Sequence, residues 1–133
     1  SARTGVGAEI SERVLGYIRA LEQGNADAAA DYWTEDSRLI GPGFDLNHAE
    51  VIRGLRSIFD AGTRVDVLNR RTVELFEHGD IVYEVAEAEE VLLPVAGSSP
   101  DTMHNNIFVR WKKGSDGKWR FHRALLGPAA SAR

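Results

Sequence analysis

The sequence predicts an α+β domain, a cone-shaped roll in which three N-terminal helices pack on a strongly curved, mostly antiparallel sheet. Two observations carry this expectation. First, the apolar residues recur at helical spacing up to Gly62 and at a period of two after it, and helices segregated from a run of antiparallel strands define this class. Second, two long β-rich arms near the C-terminus, His104–Lys113 and Lys118–Leu126, flank the polar tip Gly114-Ser115-Asp116-Gly117. Arms longer than a typical strand cross a whole sheet and bend with it, so this hairpin predicts a concave surface that the upstream helices fill.

The elements follow in order. Residues 1–7 are small and polar and are expected to fray, as is the tail 128–133. Ile10, Val14, Tyr17, Ile18 and Leu21 lie at i, i+4, i+7, i+8 and i+11, one face of an amphipathic helix that Gly24 stops. Asn25 or Asp27 caps a second helix running through Ala28, Ala29, Ala30, Tyr32 and Trp33. Ser37–Ile40 reads as a short strand, broken at Gly41-Pro42-Gly43. Asn47 caps a third helix carrying Val51, Ile52, Leu55, Ile58 and Phe59, closed by Gly62. Trp33, Phe44, Ile52, Leu55 and Phe59 are expected in the core. Arg64–Phe76 and Ile81–Leu93 are long strands joined by the turn Glu77–Asp80. In the second, Ile81, Tyr83 and Val85 share one face, and Val82, Glu84 and Ala86 the other. Pro94–Asp101 connects to the hairpin.

The bulk properties narrow the function. A chain of 133 residues, 43% hydrophobic, is one globular domain spanning 1–133. A net charge of −4 with scattered Lys and Arg argues against a nucleic-acid partner. The absence of cysteine removes disulfide and thiolate chemistry and fits a cytoplasmic location. No apolar run reaches transmembrane length and no signal peptide is visible, so no membrane partner is expected. His48, His78, His104 and His122 fit no compact ligand spacing, so no metal is expected. The run Glu87, Glu89, Glu90 reads as an exposed strand edge rather than a metal cage. Gly41-Pro42-Gly43 is a turn, not a phosphate cradle.

Four phrases, in order and at matching spacing, resemble the nuclear transport factor two-like superfamily, which includes steroid Δ-isomerases and SnoaL-like polyketide cyclases. They are Tyr17-Ile18-Arg19-Ala20-Leu21-Glu22-Gln23-Gly24-Asn25, Tyr32-Trp33-Thr34-Glu35-Asp36-Ser37, Gly79-Asp80-Ile81-Val82-Tyr83-Glu84 and Asp116-Gly117-Lys118-Trp119-Arg120-Phe121-His122-Arg123. Together they cover nearly the whole chain and speak for the fold more than for an activity. Against the steroid isomerases, Tyr17 matches the oxyanion-donating Tyr, while the base position falls at Gly41 and the second donor at Ile107. The resemblance further implies that His122, Ala124 and Leu126 point into the cone, with Tyr83, Val85, Glu87 and Glu89, and with Asn105, Ile107 and Val109. Apolar pattern alone opposes this on the last strand, where Trp119 and Phe121 share the face opposite His122. A homodimer through the convex face, covering Phe108, Trp119 and Phe121, accommodates both.

On these assignments Tyr17, Glu87 and His122 are the candidate catalytic residues. Tyr17 is a hydrogen-bond donor, and Glu87 with His122 an acid/base pair on an apolar wall. Trp33, Phe59, Tyr83, Asn105 and Ile107 are candidate ligand contacts. The reading is a cofactor-independent enzyme of isomerase or cyclase type acting on an apolar, oxygenated small molecule. The alternative is a non-catalytic ligand-binding or dimerisation module. An enzyme needs at least two convergent titratable groups deep in the cone; a binder needs none.

Overall fold

A computed structural model describes residues 5–93 and 101–129. The chain runs α1 (Val6–Glu22), α2 (Ala26–Ala30), β1 (Trp33–Gly41), β2 (Phe44–Asn47), α3 (His48–Asp60), β3 (Arg64–His78), β4 (Ile81–Leu93), β5 (Asp101–Lys113) and β6 (Trp119–Pro128). Among the described residues the strands form one six-stranded sheet of order β2-β1-β6-β5-β4-β3. Every neighbouring pair is antiparallel except β1 and β6. The expected α+β roll is therefore present. Val6 and Gly7 belong to α1 and Pro128 to β6, so the ends are more ordered there than the composition predicts. The rest of the expected fraying, at 1–4 and 130–133, and most of the Pro94–Asp101 connection lie outside the described residues.

The caps are those the sequence chemistry favours. Gly24 takes φ 67°, which lets the chain leave α1 abruptly. The Asn25 side chain accepts from the Ala28 amide at 3.0 Å and starts α2. Asn47 and Glu50 form a reciprocal capping box at the start of α3. The second helix is shorter than expected. It ends at Ala30, and Trp33 opens β1 because the Phe121 amide donates to the Tyr32 carbonyl at 2.8 Å, recruiting the chain into the sheet. A five-residue helix has little cooperative stability with which to resist that. The turn at Gly41-Pro42-Gly43 leads into β2, an edge strand that the sequence does not announce. Phe44 sits on it, 38% exposed rather than in the core, with its ring over Gly41. Trp33, Ile52 and Phe59 are buried and Leu55 is half-buried.

The centre of the core is aromatic. Phe121 lies 4.3 Å from Trp111, 4.7 Å from Trp33 and 5.0 Å from Tyr17, centroid to centroid. Such contacts add to the large apolar area each ring buries. The conflict over β6 is resolved by a β-bulge. Trp111 pairs with Phe121 and Arg110 with Arg123, leaving His122 as the extra residue. Trp119 and Phe121 therefore face inward before the bulge, and Ala124 and Leu126 face inward after it. Trp119 and Phe121 are interior, not part of a convex patch.

Candidate active site

On β4 the interior face is Val82, Glu84, Ala86, Ala88 and Glu90, and Tyr83 and Glu87 stand on the other face. The strand thus presents to the cone the face opposite to the one implied by resemblance. A one-residue difference in register exchanges the whole set. The two β4 faces carry similar apolar content, so composition does not choose between them.

β3 is built to match. Leu68 pairs with Glu89 and Arg71 with Glu87, so Asn69 and Arg70 together face Ala88. Asn69 takes φ 52°, a left-handed conformation that Asn tolerates better than most residues. This bulge turns Arg70 inward after Val65 and Val67. A second bulge between Thr72 and Glu74 keeps both Thr72 and Leu75 on the interior side.

Two carboxyl groups result, in different surroundings. Glu84 is 0% exposed and receives four hydrogen bonds: from Arg70 Nη1 at 2.9 Å, Arg70 Nη2 at 2.8 Å, Thr72 Oγ1 at 2.5 Å and Trp111 Nε1 at 2.9 Å. Burial pushes its pKa up, but the bidentate Arg70 pair, with Thr72 and Trp111, outweighs this and holds the carboxyl below the usual range. Glu90 lines a cavity of about 290 Å³ between α1, α3 and the sheet. Burial pushes the Glu90 carboxyl up. Arg70 and the Asn105 amide pull against this without reversing it.

The rest of the cavity is almost wholly apolar, with Val14, Leu21, Leu39, Leu55, Val67 and Ile107 among its walls. The polar exceptions are Tyr17, Trp33, Arg70 and Glu90. Burial pushes the Tyr17 hydroxyl up to about 12; the Trp33 indole N–H moderates this and the Glu90 charge adds to it. Tyr17 therefore stays protonated as a donor throughout the neutral range. Trp33 Nε1 is buried close to Tyr17, near enough to act on its hydroxyl, but makes no hydrogen bond of ordinary geometry among the described residues.

Of the residues singled out from sequence, Tyr17, Trp33 and Ile107 line this cavity, and Asn105 stands beside Glu90. Phe59 is buried next to it, in a cluster with Leu21 and Ala26. Tyr83 is exposed and packs on Phe108, ring centroids 6.1 Å apart. Glu87 pairs with Arg71 outside the cone. His122, the bulge residue, accepts from Arg110 Nε at Nδ1 (3.1 Å), so its Nε2–H donates to Asp36 Oδ2 (3.2 Å). Burial lowers its basicity, Asp36 opposes this, and Arg123 and Arg110 reinforce it. Glu87 and His122 thus do not enter one cavity, and the acid/base pair proposed from sequence is corrected. The ionisable groups on the interior face are instead Arg70, Glu84 and Glu90. Their sequence signal was the alternation Glu84-x-Ala86-x-Ala88-x-Glu90, in which small residues separate two carboxylates on one strand face.

A cone of this topology, with an apolar cavity under its helices, defines the class of nuclear transport factor two-like α+β rolls. Within it the chain belongs to the SnoaL-like domain family, whose model matches residues 10–123. Solved structures agree on the fold. A conserved protein from Planctomyces limnophilus superposes with a TM-score of 0.85 at 13% identity, covering 96% of this chain and 100% of that one. A putative scytalone dehydratase from Novosphingobium aromaticivorans gives 0.79 at 17% identity, covering 96% and 89%. ActVI-ORFA from Streptomyces coelicolor gives 0.75 at 14% identity, covering 93% and 98%. A search among curated protein sequences returned no match. No helix of the described residues is long and apolar enough to cross a membrane.

Proposed function

We propose that this chain is a small-molecule enzyme of isomerase or cyclase type that moves a proton on an apolar, carbonyl-bearing ligand held in the cone. One observation carries the reading: Glu90, a carboxyl raised by burial, shares an otherwise apolar cavity with the Tyr17 hydroxyl. Isomerisation and cyclisation of such ligands can both begin with loss of a proton from carbon beside a carbonyl. The Glu90 carboxylate accepts that proton. The Tyr17 O–H, with the Trp33 indole N–H as a second donor, stabilises the oxygen on which charge develops. Return of the proton from Glu90 to another carbon completes an isomerisation. The putative scytalone dehydratase that shares the fold is in keeping with an enzyme of this kind.

The test is exchange of the α-protons of 1-tetralone in D2O, followed by proton NMR. The wild-type protein is expected to accelerate exchange, and Glu90→Gln to reduce the acceleration by on the order of a hundredfold. Undiminished exchange in Glu90→Gln would contradict the proposal. Binding of the ketone without exchange in the wild type would favour the non-catalytic binding module.

The assembly we propose is a homodimer through the convex face of β3–β6. Phe76, Tyr83, Phe108 and Leu125 are exposed there on four adjacent strands. Arg71, Glu74, Glu87, Arg110 and Arg123 are interspersed with them, so the face carries both signs of charge and can complement a second copy of itself. Sedimentation at micromolar concentration is expected to give a dimer and Phe108→Arg a monomer; a monomeric wild type would count against it.

A further inference from the structure

Arg70 lines the cavity with Glu90 but is held by Glu84, which is not part of the cavity wall. Arg70 stands opposite Ala88, because the Asn69 bulge sets two residues of β3 against that one. On the same interior face of β4, Glu90 lies two residues from Ala88 in one direction and Glu84 four residues in the other. Diagonal neighbours two residues along a paired strand are within reach of a long side chain. Glu90 is therefore the nearer carboxyl by register, yet the guanidinium is bonded to Glu84 through both terminal nitrogens. Ala86 and Ala88, small and buried, leave room for the arginine to run along the sheet toward Glu84. Thr72 and Trp111 fix the Glu84 carboxylate in place.

We propose that Glu84 is a positioning residue: by holding both guanidinium nitrogens of Arg70 it turns that cation away from Glu90, leaving Glu90 without an ion-pair partner and free to exchange a proton. This rests on the reading of Glu90 as the proton-transfer group. The Glu84–Arg70 pair is also close to neutral as a unit, so the charge balance in the cavity varies with Glu90 alone. An uncharged ligand suits that balance, whereas an anionic ligand would find Arg70 already engaged.

The experiment is an NMR titration of the Glu90 side-chain carboxyl carbon, assigned by its loss in Glu90→Gln. In Glu84→Gln the released Arg70 is expected to pair with Glu90 and lower its midpoint by about one unit or more, the usual effect of an adjacent opposite charge. The double variant Glu84→Gln/Arg70→Gln removes the released cation and is expected to return the Glu90 midpoint to that of wild type or above it, since the pull Arg70 exerts from its Glu84-bound position is lost as well. It also covers the case in which Glu84→Gln does not fold, since replacing a buried pair whole is far milder than breaking it. A Glu84→Gln protein that loses stability without moving Glu90, or a double variant in which Glu90 falls below wild type, overturns the proposal. The first result makes Glu84 purely structural; the second shows that the fall of Glu90 does not come from Arg70. The titration needs no substrate, so it stands apart from the exchange test of Glu90.

Discussion

Glu84 and Glu90 occupy one face of one strand, six residues apart, and their surroundings push them in opposite directions. Glu84 has four hydrogen bonds, two of them from Arg70; Glu90 has an apolar cavity, the more distant pull of the same Arg70 and a single amide beside it. The lesson is that burial does not by itself decide what a carboxylate does. Where charge-assisted hydrogen bonds outweigh desolvation, the group is structural and stays ionised; where they do not, the group holds its proton more tightly and becomes useful in proton transfer.

The comparison breaks most sharply at Glu84. Glu84→Leu breaks the buried ion pair with Arg70 and is expected to cost about 3–5 kcal/mol in urea unfolding. Glu90→Gln, in contrast, removes no ion pair and should leave the protein folded with its unfolding transition largely intact. A comparable loss of stability in both variants would erase the distinction.

Acidity sharpens it. The Glu84 carboxyl is lowered in the fold, so its stabilisation is present above the ordinary value of 4.5 and is lost as pH falls through the lowered value. The Glu90 carboxyl is raised, so the folded state binds more protons than the unfolded one above 4.5, and stability falls as pH rises through the raised value. Glu90→Gln should therefore flatten the decline above pH 4.5 and leave the acid limb unchanged, as measured by urea unfolding across pH.

The smallest effect is expected outside the cone. Glu87 pairs with Arg71 on the convex face, where both side chains keep substantial solvent contact. Glu87→Gln should change stability by less than about 1 kcal/mol and leave exchange of the ketone probe untouched. A large loss of exchange in that variant would bring back the pair inferred from sequence.

Much of the fold was legible because local chemistry and periodicity agreed. The Asn47–Glu50 capping box, the Gly24 stop, the Ile81–Leu93 strand and the Gly114–Gly117 tip all appear where the residues put them. The site was legible only in part. Tyr17 could be placed because a helix face spans several turns and tolerates error. Glu87 and His122 were misplaced because strand faces alternate and a single extra residue inverts them. Nothing in the side chains around Asn69, Val73 or His122 announces a bulge; it is set by pairing with the neighbouring strand. Trp33 was read as helical for a related reason, since its partner in the sheet lies almost ninety residues away at Phe121.

The most direct measurement is the titration of both carboxyls in the wild-type protein, by NMR of the side-chain carboxyl carbons. Glu90 is expected to take up its proton above 4.5 and Glu84 below it. A Glu90 midpoint at or below 4.5 would contradict the assignment of that residue to proton transfer.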